Sequence, residues 1–92
     1  MIVSFKCPDT EALSKGRSVG RFASIARVAR RKLRQLEIAG RLDDLMIPPG
    51  NRLDMLKGDR VGWCSIRIND RWRLCFRWTG AGAEGVEIID YH

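Results

Sequence analysis

Residues 61–78 read Val61-Gly62-Trp63-Cys64-Ser65-Ile66-Arg67-Ile68-Asn69-Asp70-Arg71-Trp72-Arg73-Leu74-Cys75-Phe76-Arg77-Trp78, and their alternation decides the fold. Cys64, Ile66 and Ile68 alternate with Trp63, Ser65 and Arg67. Trp72, Leu74, Phe76 and Trp78 alternate with Arg73, Cys75 and Arg77. Period-two alternation marks strands with one buried face. A two-residue turn at Asn69-Asp70 would set Ile68 against Arg71 and mix the faces. A three-residue connection at 69–71 instead pairs Ile68 with Trp72, Ile66 with Leu74 and Cys64 with Phe76, which keeps one face apolar. The other face then gathers Trp63, Ser65, Arg67, Arg73, Cys75 and Arg77. Strands are predicted at about 61–68 and 72–78, with a third at about 85–91.

Working outward, Pro48-Pro49-Gly50 continues neither a helix nor a central strand, so residues 41–50 read as a turn of helix and a loop. Before it, Phe22, Ile25, Ala29, Leu33 and Leu36 step by threes and fours, the mark of a helix over about 20–39 with Gly40 as terminator. Ser18 is its expected cap. Arg27, Arg34 and Arg41 recur every seven residues along another flank, with Arg30 and Arg31 beside them. Solvated arginines on an exposed face are the plainer account of that stripe. Asp9 is the expected cap of a shorter helix ending near Lys15, and the β-prone residues 1–6 precede it. The expected architecture is an α+β sandwich with two N-terminal helices on one face of a small antiparallel sheet, in the order β-α-α-β-β-β.

At 92 residues, one domain spanning 1–92 is the expectation. Hydrophobic content of 45% excludes the composition of a disordered chain. No apolar run approaches the roughly 20 residues of a spanning helix, so no membrane partner is expected. The opening MIVSFKCPD lacks the layout of a signal peptide. Cys7, Cys64 and Cys75 form no CxxC motif, and the chain holds one His, which argues against a disulfide scaffold or a zinc site and for a reduced, cytoplasmic setting. The net charge is +6, carried by 17 Lys and Arg against 11 Asp and Glu. Arginine dominates, and its planar fork suits phosphate or carboxylate. Nucleic acid or an acidic protein is the expected partner, beside the plainer reading of a solvated basic surface.

On the open face Arg67 and Arg73 fall near cross-strand positions without a sequence-near carboxylate. Like charges so placed are destabilising, and a polyanion would relieve them. Glu84, Glu87 or Asp90 on the last strand would do so too. Gly58 in Leu56-Lys57-Gly58-Asp59-Arg60 permits a tight turn that aims Lys57 and Arg60 at one phosphate. Asp90-Tyr91-His92 brings together a carboxylate, a phenol and the lone imidazole, although a His at the end of a chain is more often frayed and inert.

Several of these segments, taken together, resemble a known family. Arg52-Leu53-Asp54-Met55-Leu56-Lys57-Gly58-Asp59-Arg60, then Gly62, Trp63-Cys64-Ser65-Ile66-Arg67, Trp72-Arg73-Leu74-Cys75-Phe76 and the closing Asp90-Tyr91-His92 resemble HigB toxins of the RelE/ParE superfamily of bacterial type II toxin–antitoxin modules. The opening Met1-Ile2-Val3-Ser4-Phe5-Lys6 also fits. The resemblance implies a metal-independent, ribosome-dependent endoribonuclease that cleaves mRNA in the 30S A site, blocks translation and uses no cofactor. It implies a HigA-like helix-turn-helix antitoxin as partner, and operator DNA reached only through that antitoxin. By similarity Asp90, Tyr91 and His92 match the active-site tail, while Lys57 and Arg73 match basic residues near the scissile phosphate. Members of the family carry a His where this chain has Asp54.

Metal-free RNA cleavage needs a base for the 2′-hydroxyl, cations for the charge developing on phosphorus and an acid for the leaving oxygen. Asp90 or Asp54 fits the base, Arg73 and Lys57 the cations, and His92 or Tyr91 the acid. Arg67, Arg60 and Arg77 are the expected RNA-binding residues. Two other readings remain open at this point. One is a non-cleaving toxin of the ParE type acting on a target such as DNA gyrase; the other is a degenerate module member that only binds its antitoxin.

Overall fold

The computed structural model describes residues 1–90; Tyr91 and His92 lie outside the described residues. Two helices, α1 (Pro8–Ser14) and α2 (Ala26–Ile38), come before every strand. The strands are β1 (Asp54–Met55), β2 (Trp63–Arg67), β3 (Trp72–Thr79) and β4 (Gly82–Asp90), in one antiparallel sheet of order β1-β2-β3-β4. The α+β class and the helix-covered sheet are therefore as expected. The order β-α-α-β-β-β is not.

The correction has two parts. The N-terminal residues make only isolated parallel bridges, Ile2 to Ala83 and Phe5 to Val86. A continuous ladder fails between them because β4 is irregular there. Gly85 has φ +62, the register with β3 shifts between Cys75 and Arg77, and the Gly85 amide donates to the Ser4 hydroxyl at 2.9 Å. The fourth strand comes from the stretch between the 41–50 loop and the Gly58 turn, where the sequence predicts no strand: Asp54 pairs with Ser65 and Met55 with Cys64. Two exposed residues carry no periodic pattern, and they become a strand only because the outer edge of β2 is there to pair with.

The hairpin follows its alternation. Cys64 pairs with Phe76 and Ile66 with Leu74, and the Ile68 amide donates to the Trp72 carbonyl at 3.0 Å. Asn69 holds the connection, its Oδ1 accepting from the amides of Arg71 and Trp72 at 2.9 and 2.8 Å. Above this face lie Leu13, Phe22, Ile25, Ala29, Leu33 and Leu36, which join Cys64, Ile66, Leu74, Phe76, Val86 and Ile88 in one buried core.

The helix expected over 20–39 is divided. A 3-10 turn at Gly20–Phe22 precedes α2, whose N-cap is Ile25, and Ser18 caps neither. In α1, Pro8 occupies the first turn and Cys7 the cap, so Asp9 lies inside the helix and binds Arg21 at 3.0 Å. Proline's fixed φ starts the helix two residues earlier than a side-chain cap at Asp9 would.

The N-terminal segment lies so close to β4 that a Cβ at Gly82 would sit 2.2 Å from the Met1 carbonyl oxygen, and Gly82 has φ +129. Gly82→Ala is expected to lift residues 1–6 off the sheet and cost about 1–3 kcal/mol, since both the contact and the backbone conformation become strained. Amide exchange would show faster exchange at Val3 and Lys6; unchanged protection there would contradict the expectation.

Candidate functional site

Across the open face the sheet sets its residues in rows. Asp54, Ser65, Cys75 and Glu87 form one row, Arg67, Arg73 and Ile89 the next, and Trp63, Arg77 and Glu84 the third. The face expected to gather Trp63, Ser65, Arg67, Arg73, Cys75 and Arg77 does so. It is less bare than the sequence implies, because Ser65 and Cys75 are both fully buried.

Arg73 bends over the face toward β1. Its Nε donates to Ser65 Oγ at 2.8 Å, and its Nη2 donates to the Arg52 carbonyl at 2.7 Å. A second bond from Nη2 reaches the Ser65 carbonyl at 3.3 Å. The guanidinium is half-buried and pinned by neutral acceptors, so its charge is not cancelled by those three bonds. Asp54, exposed on β1, shares the row of the serine that Arg73 grips. Arg52 is where sequence reading missed a contributor. It has φ +47, which turns its carbonyl to a place no local pattern announces.

Arg67 does have a sequence-near carboxylate, which corrects the expectation: Asp70, three residues on, forms an ion pair with it. The Asp70 side chain is almost wholly exposed, so the pair is weak and a polyanion would compete for it. The last-strand carboxylates are engaged as well. Glu84 meets Arg77 at 3.8 Å, and Glu87 meets both Arg60 and Lys6 at 3.6 Å. Arg60 and Lys6 also lie over the Trp63 indole, 5.8 and 5.5 Å from a ring centroid. Arg60 is thus turned toward Trp63 and Glu87. Lys57 stays exposed at the start of the Gly58–Arg60 turn, where Gly58 has φ +67.

Asp90 does not share Arg73's row. Its cross-strand partner is Trp72, whose ring meets Phe22 in the core, whereas Arg73 is opposite Ile89. Asp90 therefore belongs to the helix-side face at the sheet's end. Arg71 donates to it from Nε at 2.8 Å, and this bond raises the arginine's pKa further. Arg71 was not anticipated; the Trp72–Asp90 register is what brings it there. Burial pushes the Cys75 thiol up to about 11, despite nearby Arg60 and Arg73, so this cysteine is a neutral packing group and not a nucleophile. The expected roles of Tyr91 and His92 fall outside the described residues. No helix among the described residues is long and apolar enough to cross a membrane.

An arginine-rich open face backed by a helix-covered sheet defines a small basic α+β protein. Residues 16–92 match the model of a family described as HigB-like toxin, the RelE-like toxin of the type II toxin–antitoxin system HigB. The chain belongs to the HigB-like toxin family. It is 45% identical over 69 residues to Toxin HigB-1 of Vibrio cholerae, a match covering 75% of this chain and 68% of that one. It is 39% identical over 41 residues to Endoribonuclease HigB of Proteus vulgaris, covering 45% of each. Among solved structures, a YoeB/ParE toxin from Agrobacterium tumefaciens aligns with a TM-score of 0.48 and 23% identity, over 99% of this chain and 97% of that one.

Proposed function

We propose that this chain is a ribosome-dependent mRNA endonuclease that blocks translation and is neutralised by a HigA-like helix-turn-helix antitoxin. The observation that carries the reading is Arg73, held by Ser65 and the Arg52 carbonyl on a face that also presents Arg67 and Arg77, with Asp54 in the adjoining row. A guanidinium already held in place by Ser65 and the Arg52 carbonyl needs little reorganisation when charge develops on a phosphate beside it. The endoribonuclease named among its relatives supports the same chemistry.

In this reading the Asp54 carboxylate takes the 2′-hydroxyl proton as that oxygen attacks phosphorus, since Asp90 lies on the other face of the sheet from Arg73. Arg73 and Lys57 stabilise the charge on the phosphoryl oxygens. Tyr91 or His92 gives a proton to the departing 5′-oxygen. The 5′-oxygen bond breaks as the 2′-oxygen bond forms, so no metal and no cofactor are required. Arg67, Arg60 and Arg77 bind flanking RNA, Arg60 after release from Glu87. The ribosome supplies mRNA already oriented, which relieves the protein of much of the barrier. Residues 1–92 act as one domain in the cytoplasm, with no membrane partner and with operator DNA reached only through the antitoxin.

Expression of the chain alone should arrest bacterial growth, and the antitoxin should restore it. Primer extension should then find new 5′ ends inside translated reading frames and none in a copy of the same transcript lacking a ribosome-binding site. Unimpaired growth while folded protein accumulates rejects the toxin reading. Equal cutting of the untranslated copy rejects ribosome dependence.

A further inference from the structure

The turn that supplies the Arg52 carbonyl is tied to α2 from inside the protein. Asn51 closes the Pro49–Asn51 3-10 turn and is fully buried. Its side-chain oxygen accepts from Lys32 Nζ, and its Nδ2 donates to Gln35 Oε1 and to the Leu45 carbonyl, each at 3.1 Å. Lys32 is itself buried on α2, among Ala29, Leu33 and Leu36, and no ion pair among the described residues includes it. Burial, with Arg31 and Arg67 nearby, pushes its pKa below the ordinary lysine range.

A buried ammonium facing a neutral amide is an expensive way to fasten a loop, and an apolar side chain would pack there at lower cost. What this arrangement secures is the next residue. Arg52 has φ +47 and ψ +56, a left-handed conformation that a non-glycine residue keeps only when its surroundings enforce it. In that conformation its carbonyl points to Arg73 and accepts Nη2 at 2.7 Å, while Ser65 takes Nε.

We infer that Lys32 and Asn51 are positioning residues, a latch from α2 that holds the Arg52 carbonyl and, through it, the Arg73 guanidinium in working orientation. The inference rests on the reading that Arg73 meets the scissile phosphate. It differs from a general loop fastening in one respect: the latch acts on cleavage only through Arg73.

That difference sets the experiment. Wild type, Asn51→Ala, Arg73→Ala and the double variant, all as full chains, are compared in single-turnover cleavage on programmed ribosomes. Asn51→Ala should lower the limiting rate about tenfold or more, the scale of loss for a misplaced catalytic group, with half-saturating toxin concentration changed less than about twofold. In the Arg73→Ala background the same substitution should change the rate by less than about twofold. The Arg73 Nε–Hε resonance, assigned by its loss in Arg73→Ala, should exchange slowly in wild type and rapidly in Asn51→Ala, while β2 and β3 amides stay protected. Should Asn51→Ala not fold, Lys32→Gln and Lys32→Met replace it; glutamine retains a donor for Asn51 and should recover most of what methionine loses.

Two results overturn the latch: rate losses that multiply in the double variant, or an Arg73 resonance unmoved by Asn51→Ala and Lys32→Met alike. If Arg73→Ala cleaves like wild type, the proposed role of Arg73 falls. The resonance then still decides whether the latch orients that side chain.

Discussion

Arg73→Ala is expected to lower cleavage of translated mRNA by a hundredfold or more, about the loss on removing one preorganised donor to a developing oxyanion. Growth arrest should disappear with it. The side chain lies on the open face, and its bonds to Ser65 and Arg52 aim the fork without neutralising it. Stability should fall too. The Ser65 hydroxyl is fully buried and loses its donor, at a cost of about 1–3 kcal/mol. Arg73→Lys separates charge from geometry, since an ammonium does not reproduce the two-point hold on Ser65 and the Arg52 carbonyl. It should regain stability more than rate. Single-turnover cleavage and urea midpoints, measured on the same preparations, check both effects. A rate within twofold of wild type removes Arg73 from the chemistry; loss of the native near-ultraviolet spectrum makes it a structural residue.

The largest stability effect is expected at Phe22. The Gly20–Phe22 turn swings this ring into the core, where it is fully buried and meets Trp72 edge-on, centroids 5.6 Å apart. Phe22→Ala removes the ring and leaves a cavity between the helices and the sheet, costing about 3–5 kcal/mol. For a domain of this size that is a large fraction of a typical stability of about 5–15 kcal/mol. Each kcal/mol lowers the midpoint temperature by about 4–8 °C, so thermal unfolding followed by tryptophan fluorescence should shift far outside error. A loss under about 1 kcal/mol would mean that the turn and Trp72 close over the gap, and that the ring fills space without supporting the layer.

The Phe22, Ile25, Ala29, Leu33, Leu36 spacing was legible as a buried face although the helix beneath it is broken at residues 23–25, because burial follows the spacing whether the backbone turns as an α or a 3-10 helix. The positions of the break and of the N-caps were not. Ser18 has the right chemistry for a cap, yet Phe22 and Ile25 must both reach the core, and that requirement outranks a local preference. In the candidate site the composition of the open face could be read in advance, but not its pairings. The sequence places Asp70 in the connection, but its pairing with Arg67 depends on side-chain direction, which is settled in three dimensions.

The sequence alone determined the pairing of Cys64 with Phe76 and Ile66 with Leu74, and thereby which arginines face away from the helices. Both follow from a period of two and a connection three residues long, which are local quantities. Only the tertiary structure decided that Asp54 joins the sheet, that Asp90 falls on the face opposite Arg73, and that Lys32 is buried against Asn51. Each depends on a partner between 11 and 19 residues away or on an edge left open by other strands. Nothing in the neighbouring residues carries that information, because an edge strand and a buried cation are selected by what the rest of the chain leaves for them to bind.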